Sequence, residues 1–148
     1  MEVSFEFTGD NEYISTVANK DPIHIKGPFD QASRNFAPTE LLLFAMSSCS
    51  SSDVISILNK QKVKLDKFSC TITAERAKEH PKTVVSADVH YFLEGKEVDA
   101  DKVRRAINLS LTKYCSVSIL AIRGGADVRY SFSVNGKLFD SKMKPRLE

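Results

Sequence analysis

The segment "LLLFAMSSCSSSDVISIL", residues 41–58, limits what this chain can fold into more than any other. It begins apolar on every side of a helix and then sets one cysteine, Cys49, among five serines. The polar, turn-rich "KGPFDQASRNFAPTE" ahead of it runs past Pro38, which suits a first helical turn because its missing N–H would have no partner there. Glu40 then complements the positive end of the helix. The spacing predicts a helix from Pro38 to about Lys60, roughly 34 Å long at about 1.5 Å per residue. A helix that is oily all round needs material all round it. A chain of 148 residues has little to spare for wrapping such a helix, so a second copy is the simplest supplier and a homodimer is expected.

The oily run itself covers only residues 41–46, far short of the roughly 20 apolar residues that span a bilayer, so a core helix and no membrane contact are expected. The N-terminal "MEVSFEFTGD" is acidic and lacks a basic stretch followed by an apolar one; without a visible signal peptide, a cytoplasmic protein with reduced thiols is expected. A net charge of +2, with Lys and Arg scattered, gives no reason to expect nucleic acid as a partner. The densest charged stretch, "RAKEHPK" at 76–82, mixes signs around a proline and reads as a solvated hairpin tip.

Alternating residues predict short strands at 2–7, 13–17 and 23–25, forming an antiparallel meander. After the long helix, "KFSCTITAERA" puts Phe68, Cys70, Ile72 and Ala74 on one face, and "TVVSADVHYFLEG" does the same with Val85, Ala87, Val89, Tyr91 and Leu93. Asp99 reads as an N-cap for a helix carrying Val103, Ile107 and Leu111, flanked by Ala106, Ser110 and Tyr114, with Arg104 and Arg105 facing out. The glycines of "KYCSVSILAIRGG" mark a helix end, and Val128, Tyr130, Phe132 and Val134 form a last alternating strand before an Asn135-Gly136 turn. The expected architecture is α+β, with antiparallel strands around a long central helix in one domain of residues 1–148.

No two of Cys49, Cys70 and Cys115 have CxxC spacing, and His24, His80 and His90 form no metal-binding pattern, so no metal or cofactor is expected. Cys70 reads as buried filler on a strand. Cys49 and Cys115 are each flanked by serines and form a candidate pair across the fold, although either also suits a small-residue packing seam. A reactive thiol must ionise, and at an unperturbed pKa near 8.5 only a few per cent does so at neutral pH. Cys49 lies about three turns into its helix, beyond the reach of the helix dipole. Asp53, one turn on, would oppose ionisation if it faced the same way, and Arg34 is the nearest cation in sequence.

"APTELLLFAMSSCSSSDVISIL", followed by "KYCSVSIL" with its cysteine 66 residues after Cys49, resembles the OsmC/Ohr family over essentially the whole chain. The forms "CSSSDV" and "KYCSVS" are most similar to its less-studied OsmC-like branch. The resemblance implies an intertwined homodimer with two long helices at its centre. It further implies thiol peroxidase chemistry: Cys49 attacks an organic hydroperoxide, the resulting sulfenic acid condenses with Cys115, and a dithiol reductant restores the pair. Leu41, Leu42, Phe44 and Met46 would line an oily pocket.

In the family's peroxidases a glutamate immediately follows the proline and pairs with an arginine that orients the reactive cysteine. Here Thr39 holds that place, with Glu40 one residue later, Arg34 or Lys26 as the candidate cation, and Ser116 where the family has a proline after the second cysteine. The resemblance therefore also admits a non-catalytic reading, a binding or redox-responsive protein that takes an apolar ligand in the same dimer pocket.

Overall fold

The computed structural model describes residues 1–8, 11–30 and 34–146, so Gln31, Ala32 and Ser33 of the loop before the long helix lie outside the described residues. The chain divides into two compact units, Met1–Leu42 and Leu43–Glu148. In the first, β1 (Phe5–Phe7), β2 (Glu12–Ser15) and β3 (His24–Lys26) form the expected antiparallel meander with shorter strands. The Tyr13 ring packs against Phe5 and Phe7 at 5.2 and 5.5 Å between centroids. The Glu12 carboxylate accepts a hydrogen bond from Asn35 Nδ2 at 2.7 Å.

Helix α1 (Pro38–Lys60) has the expected bounds. Its buried residues are Met46, Ser50, Val54 and Leu58, a single stripe at i, i+4 spacing, while Phe44 remains 55% exposed and Ile55 42%. One chain thus covers one edge of α1 and leaves apolar side chains of the others to solvent. By length and composition α1 would also reach across a bilayer. Its serines bond back into the helix: Ser48 and Ser52 donate to the carbonyls of Phe44 and Ser48 at 2.6 and 2.8 Å.

In the second unit, β4 (Lys67–Arg76), β5 (Val84–Glu94), β6 (Asp127–Val134) and β7 (Lys137–Met143) form one sheet in that order. Alternation sends Ala87, Val89, Tyr91 and Leu93 of β5 inward, as expected. Val85 is exposed instead, because the ladder shifts register at Glu75/Arg76 and pairs Arg76 with Val84. The expectation of antiparallel strands throughout is corrected at the centre of this sheet, where β5 and β6 run parallel, with Val89 opposite Tyr130 and Tyr91 opposite Phe132. The connection between them carries α2 (Ala100–Leu109) and α3 (Ser116–Arg123), which bring the chain back to its starting end so that it re-enters the sheet in the same direction.

Asp99 caps α2 as expected, its carboxylate accepting from the N–H groups of Asp101 and Lys102. Val103, Ala106, Ile107 and Leu111 pack with Val54, Leu58, Val89, Tyr91 and Phe132 in the core. Two expectations for this helix are corrected. Arg104 does not face out: its guanidinium grips buried Asp140 of β7 with two bonds of 2.8 and 2.9 Å, because a buried carboxylate needs a partner. Tyr114 does not continue the buried face, since the chain widens into a π-helical turn over Ser110–Tyr114 that leaves Tyr114 exposed.

Candidate functional site

That π-helical turn sets the site. The Cys115 N–H donates to the Ser110 carbonyl five residues back, at 2.8 Å, which inserts one extra residue into the turn. Cys115 itself is extended and becomes the N-cap of α3. Its fully buried sulfur accepts the Ser118 N–H at 3.3 Å and lies 3.1 Å from Ser118 Oγ and 4.0 Å from the Met46 carbonyl of α1. The Cys-x-x-Ser spacing of "CSVS" is the sequence signal for this arrangement, a side chain at an N-cap bonding the third residue on.

On α1, Cys49 and Asp53 lie one turn apart and project together, so Cys49 Sγ, Cys115 Sγ and an Asp53 carboxylate oxygen all lie within 4.8 Å of one another. Both sulfurs and the carboxylate thus share one small volume despite a separation of 66 residues between the cysteines. Ser110, buried in the π-helical turn, orients Asp53: its Oγ is 3.0 Å from Asp53 Oδ2 and 3.2 Å from the Ser50 carbonyl. Beneath them the buried Tyr91 hydroxyl donates to Ser50 Oγ at 2.9 Å, fixing the small residue that lets α1 sit close to the sheet. The positions of Ser110 and Ser118 were not signalled as functional by the sequence periodicity, because helical spacing counts them only as small buried residues.

The other candidates fall elsewhere. Glu40 closes the start of α1, its Oε2 accepting the Ala37 N–H at 2.8 Å, a capping role that follows from its place three residues beyond Ala37. Arg34 is exposed in the first unit, ahead of α1. Met46 is buried with Ala87, Ala126 and Val128, whereas Leu42 and Phe44 are exposed and Leu41 half-buried. Asp53 lines a cleft of about 370 Å³ together with Ser56, Ile57, Lys60, Gln61, Leu109 and Tyr114. A larger cleft of about 600 Å³, between α3 and Lys144, is lined by neither Cys49 nor Cys115.

Burial pushes the Cys115 thiol up, against the opposing pull of the Ser118 hydroxyl and N–H, and the neighbouring Cys49 pushes the same way. Burial also pushes the Tyr91 hydroxyl far up. Both groups are therefore neutral in the fold at pH values where the unfolded chain has ionised them, from about 8.5 for cysteine and about 10 for tyrosine. The unfolded state then holds fewer protons than the folded one, so stability is full below about pH 8 and falls as pH rises, by up to about 1.4 kcal/mol per pH unit for each group. Urea unfolding of the reduced protein between about pH 7 and pH 10.5 is expected to show this decline. A flat profile would contradict the buried, neutral placement of both groups.

Relatives agree with this architecture. The family model for OsmC-like proteins matches residues 30–131. Protein YhfA of Escherichia coli is 32% identical over 98 residues, 66% of this chain and 72% of that one. A hypothetical protein from Aquifex aeolicus superposes with a TM-score of 0.79 at 27% identity, covering 90% of this chain and 95% of that one. An organic hydroperoxide resistance protein OsmC from Legionella pneumophila shares the fold, with a TM-score of 0.66 at 19% identity over 90% of this chain and 96% of that one. With its α+β architecture, its long serine-rich helix and a family match that extends through both cysteine segments, the chain belongs to the OsmC family.

Proposed function

We propose that residues 1–148 act as a single OsmC-like domain in an intertwined homodimer that reduces organic hydroperoxides in the cytoplasm, at the expense of a dithiol. The observation that carries this reading is the placement of the Cys49 and Cys115 sulfurs within 4.8 Å of each other. A disulfide requires about 2.05 Å, so the two sulfurs must draw together from within 4.8 Å for the bond to form. Cys49 is the thiol to meet the peroxide, because it is half-buried while Cys115 is fully buried. Its thiolate attacks the terminal peroxide oxygen, the O–O bond breaks, Cys49 becomes a sulfenic acid, and the departing alkoxide takes a proton from water to leave as the alcohol. The Cys115 thiol then displaces hydroxide from that sulfur and gives up its proton, forming the disulfide and water. An external dithiol exchanges with the disulfide to return both thiols.

Exposed apolar side chains of α1, Leu42 and Ile55 among them, support the dimer, since a second copy would cover them. The Legionella protein's role in organic hydroperoxide resistance, together with Leu42 and Phe44 as an oily lining, supports an alkyl peroxide as substrate. Arg34 and Glu40 stand as orienting residues only by their place in the sequence, and the Glu40 carboxylate already serves the helix cap.

The test is a coupled assay with cumene hydroperoxide and a dithiol reductant on the wild type and Cys49→Ser. The wild type is expected to turn over and the variant to fall to the background rate. Equal, negligible rates in both would overturn the enzyme and favour the ligand-binding protein.

A further inference from the structure

We propose that the reduced protein binds one zinc ion per chain through Cys49, Cys115 and Asp53. The scattered spacing of these residues hides the set in the sequence; the fold assembles it. A tetrahedral zinc with Zn–S near 2.3 Å and Zn–O near 2.1 Å needs sulfurs about 3.8 Å apart and sulfur–oxygen separations of about 3.6 Å. The three ligand atoms already lie within 4.8 Å of one another, so contraction of about an ångström at most completes three corners of the tetrahedron.

Two of the three ligands are held from behind, as metal ligands usually are. Ser110 bonds the Asp53 carboxylate at 3.0 Å, and the Ser118 N–H and hydroxyl contact Cys115 Sγ at 3.3 and 3.1 Å. A divalent cation bound there would take both cysteines as thiolates, with release of two protons, and a carboxylate oxygen of Asp53 as its third ligand. Two sulfur ligands select zinc over magnesium or calcium. Asp53 also lines the cleft with Lys60, Gln61 and Tyr114, which puts open space beside one of the three ligands.

This site uses the same sulfurs as the proposed peroxide chemistry but does not depend on that chemistry, so it is tested without peroxide. The protein is reduced, stripped of metal with a chelator, and titrated anaerobically with Co²⁺ and then Zn²⁺. The wild type is expected to take up one Co²⁺ per chain, with thiolate-to-cobalt charge transfer and the visible bands of a tetrahedral ion, and zinc is expected to displace it. Cys49→Ser and Cys115→Ser should each lose the charge-transfer intensity. Asp53→Asn, which keeps the side-chain volume, should weaken zinc by at least about tenfold, and Cys70→Ser should bind like the wild type. Circular dichroism checks that each variant folds. Wild-type protein without thiolate bands, unchanged affinity in Asp53→Asn, or loss in Cys70→Ser would each overturn the site. Peroxidase turnover of the chelator-treated protein is read separately, so failure of zinc binding and failure of the peroxidase reading are distinguishable.

Discussion

Cys115→Ser is expected to consume one equivalent of hydroperoxide per chain and then stall with Cys49 as a sulfenic acid. In the proposed cycle Cys115 resolves that intermediate from inside the molecule, because its sulfur is within 4.8 Å of Cys49 and fully buried, away from external thiols. A neighbouring group held in position acts at an effective concentration far above the millimolar level of an added dithiol. Without it, resolution depends on that dithiol reaching a half-buried sulfur directly, and steady-state turnover should fall on the order of a hundredfold or more. Serine fills nearly the same volume and still accepts the Ser118 N–H at the start of α3, so the fold is expected to survive. Mass spectrometry after one equivalent of peroxide should find a dimedone adduct on Cys49 in the variant and an intramolecular disulfide in the wild type. An adduct on neither cysteine, or undiminished turnover, would remove Cys115 from the mechanism.

Much of this molecule is legible in the sequence because its signals are local. Pro38 and Glu40 mark the start of α1, Asp99 caps α2, and alternation along β5 identifies Ala87, Val89, Tyr91 and Leu93 as inward-facing. Features that depend on partners far away in the chain are not legible. Strand direction between β5 and β6 depends on where the two intervening helices return the chain, and no periodicity within either strand records it. Arg104 turns inward only because Asp140 is buried 36 residues later. The sequence pairs Cys49 with Cys115 by resemblance, but the π-helical turn that aims Cys115 at α1 leaves no pattern in "SLTKY", because one extra residue in a turn looks like ordinary helical spacing. Asp53 illustrates the same limit: its spacing from Cys49 allows a shared face, and the bond from Ser110 of another element holds the carboxylate there.

The largest loss of stability is expected from Leu58→Ala, and its size relative to Tyr91→Phe separates two ways of holding α1 on the sheet. Leu58 is fully buried at the end of the Met46, Ser50, Val54 stripe, in the same cluster as Val89, Leu93, Val103 and Ile107. Removing its branched end leaves a cavity that flanking β-strands cannot collapse into, at a cost of about 2–5 kcal/mol. Tyr91→Phe keeps the ring and deletes one buried hydrogen bond. Ser50 Oγ loses a donor but retains its own bond to the Ser47 carbonyl at 3.1 Å, so the cost is about 1 kcal/mol. Packing should therefore outweigh the hydroxyl pair in stability. The hydroxyl pair should matter more to the site, because Ser50 carries the carbonyl to which Ser110 bonds while orienting Asp53. Urea midpoints at fixed m-value measure the first effect, and the zinc affinity of chelator-treated, refolded protein measures the second. A Tyr91→Phe variant as destabilised as Leu58→Ala would mean that the polar seam, and not the apolar stripe, anchors the helix.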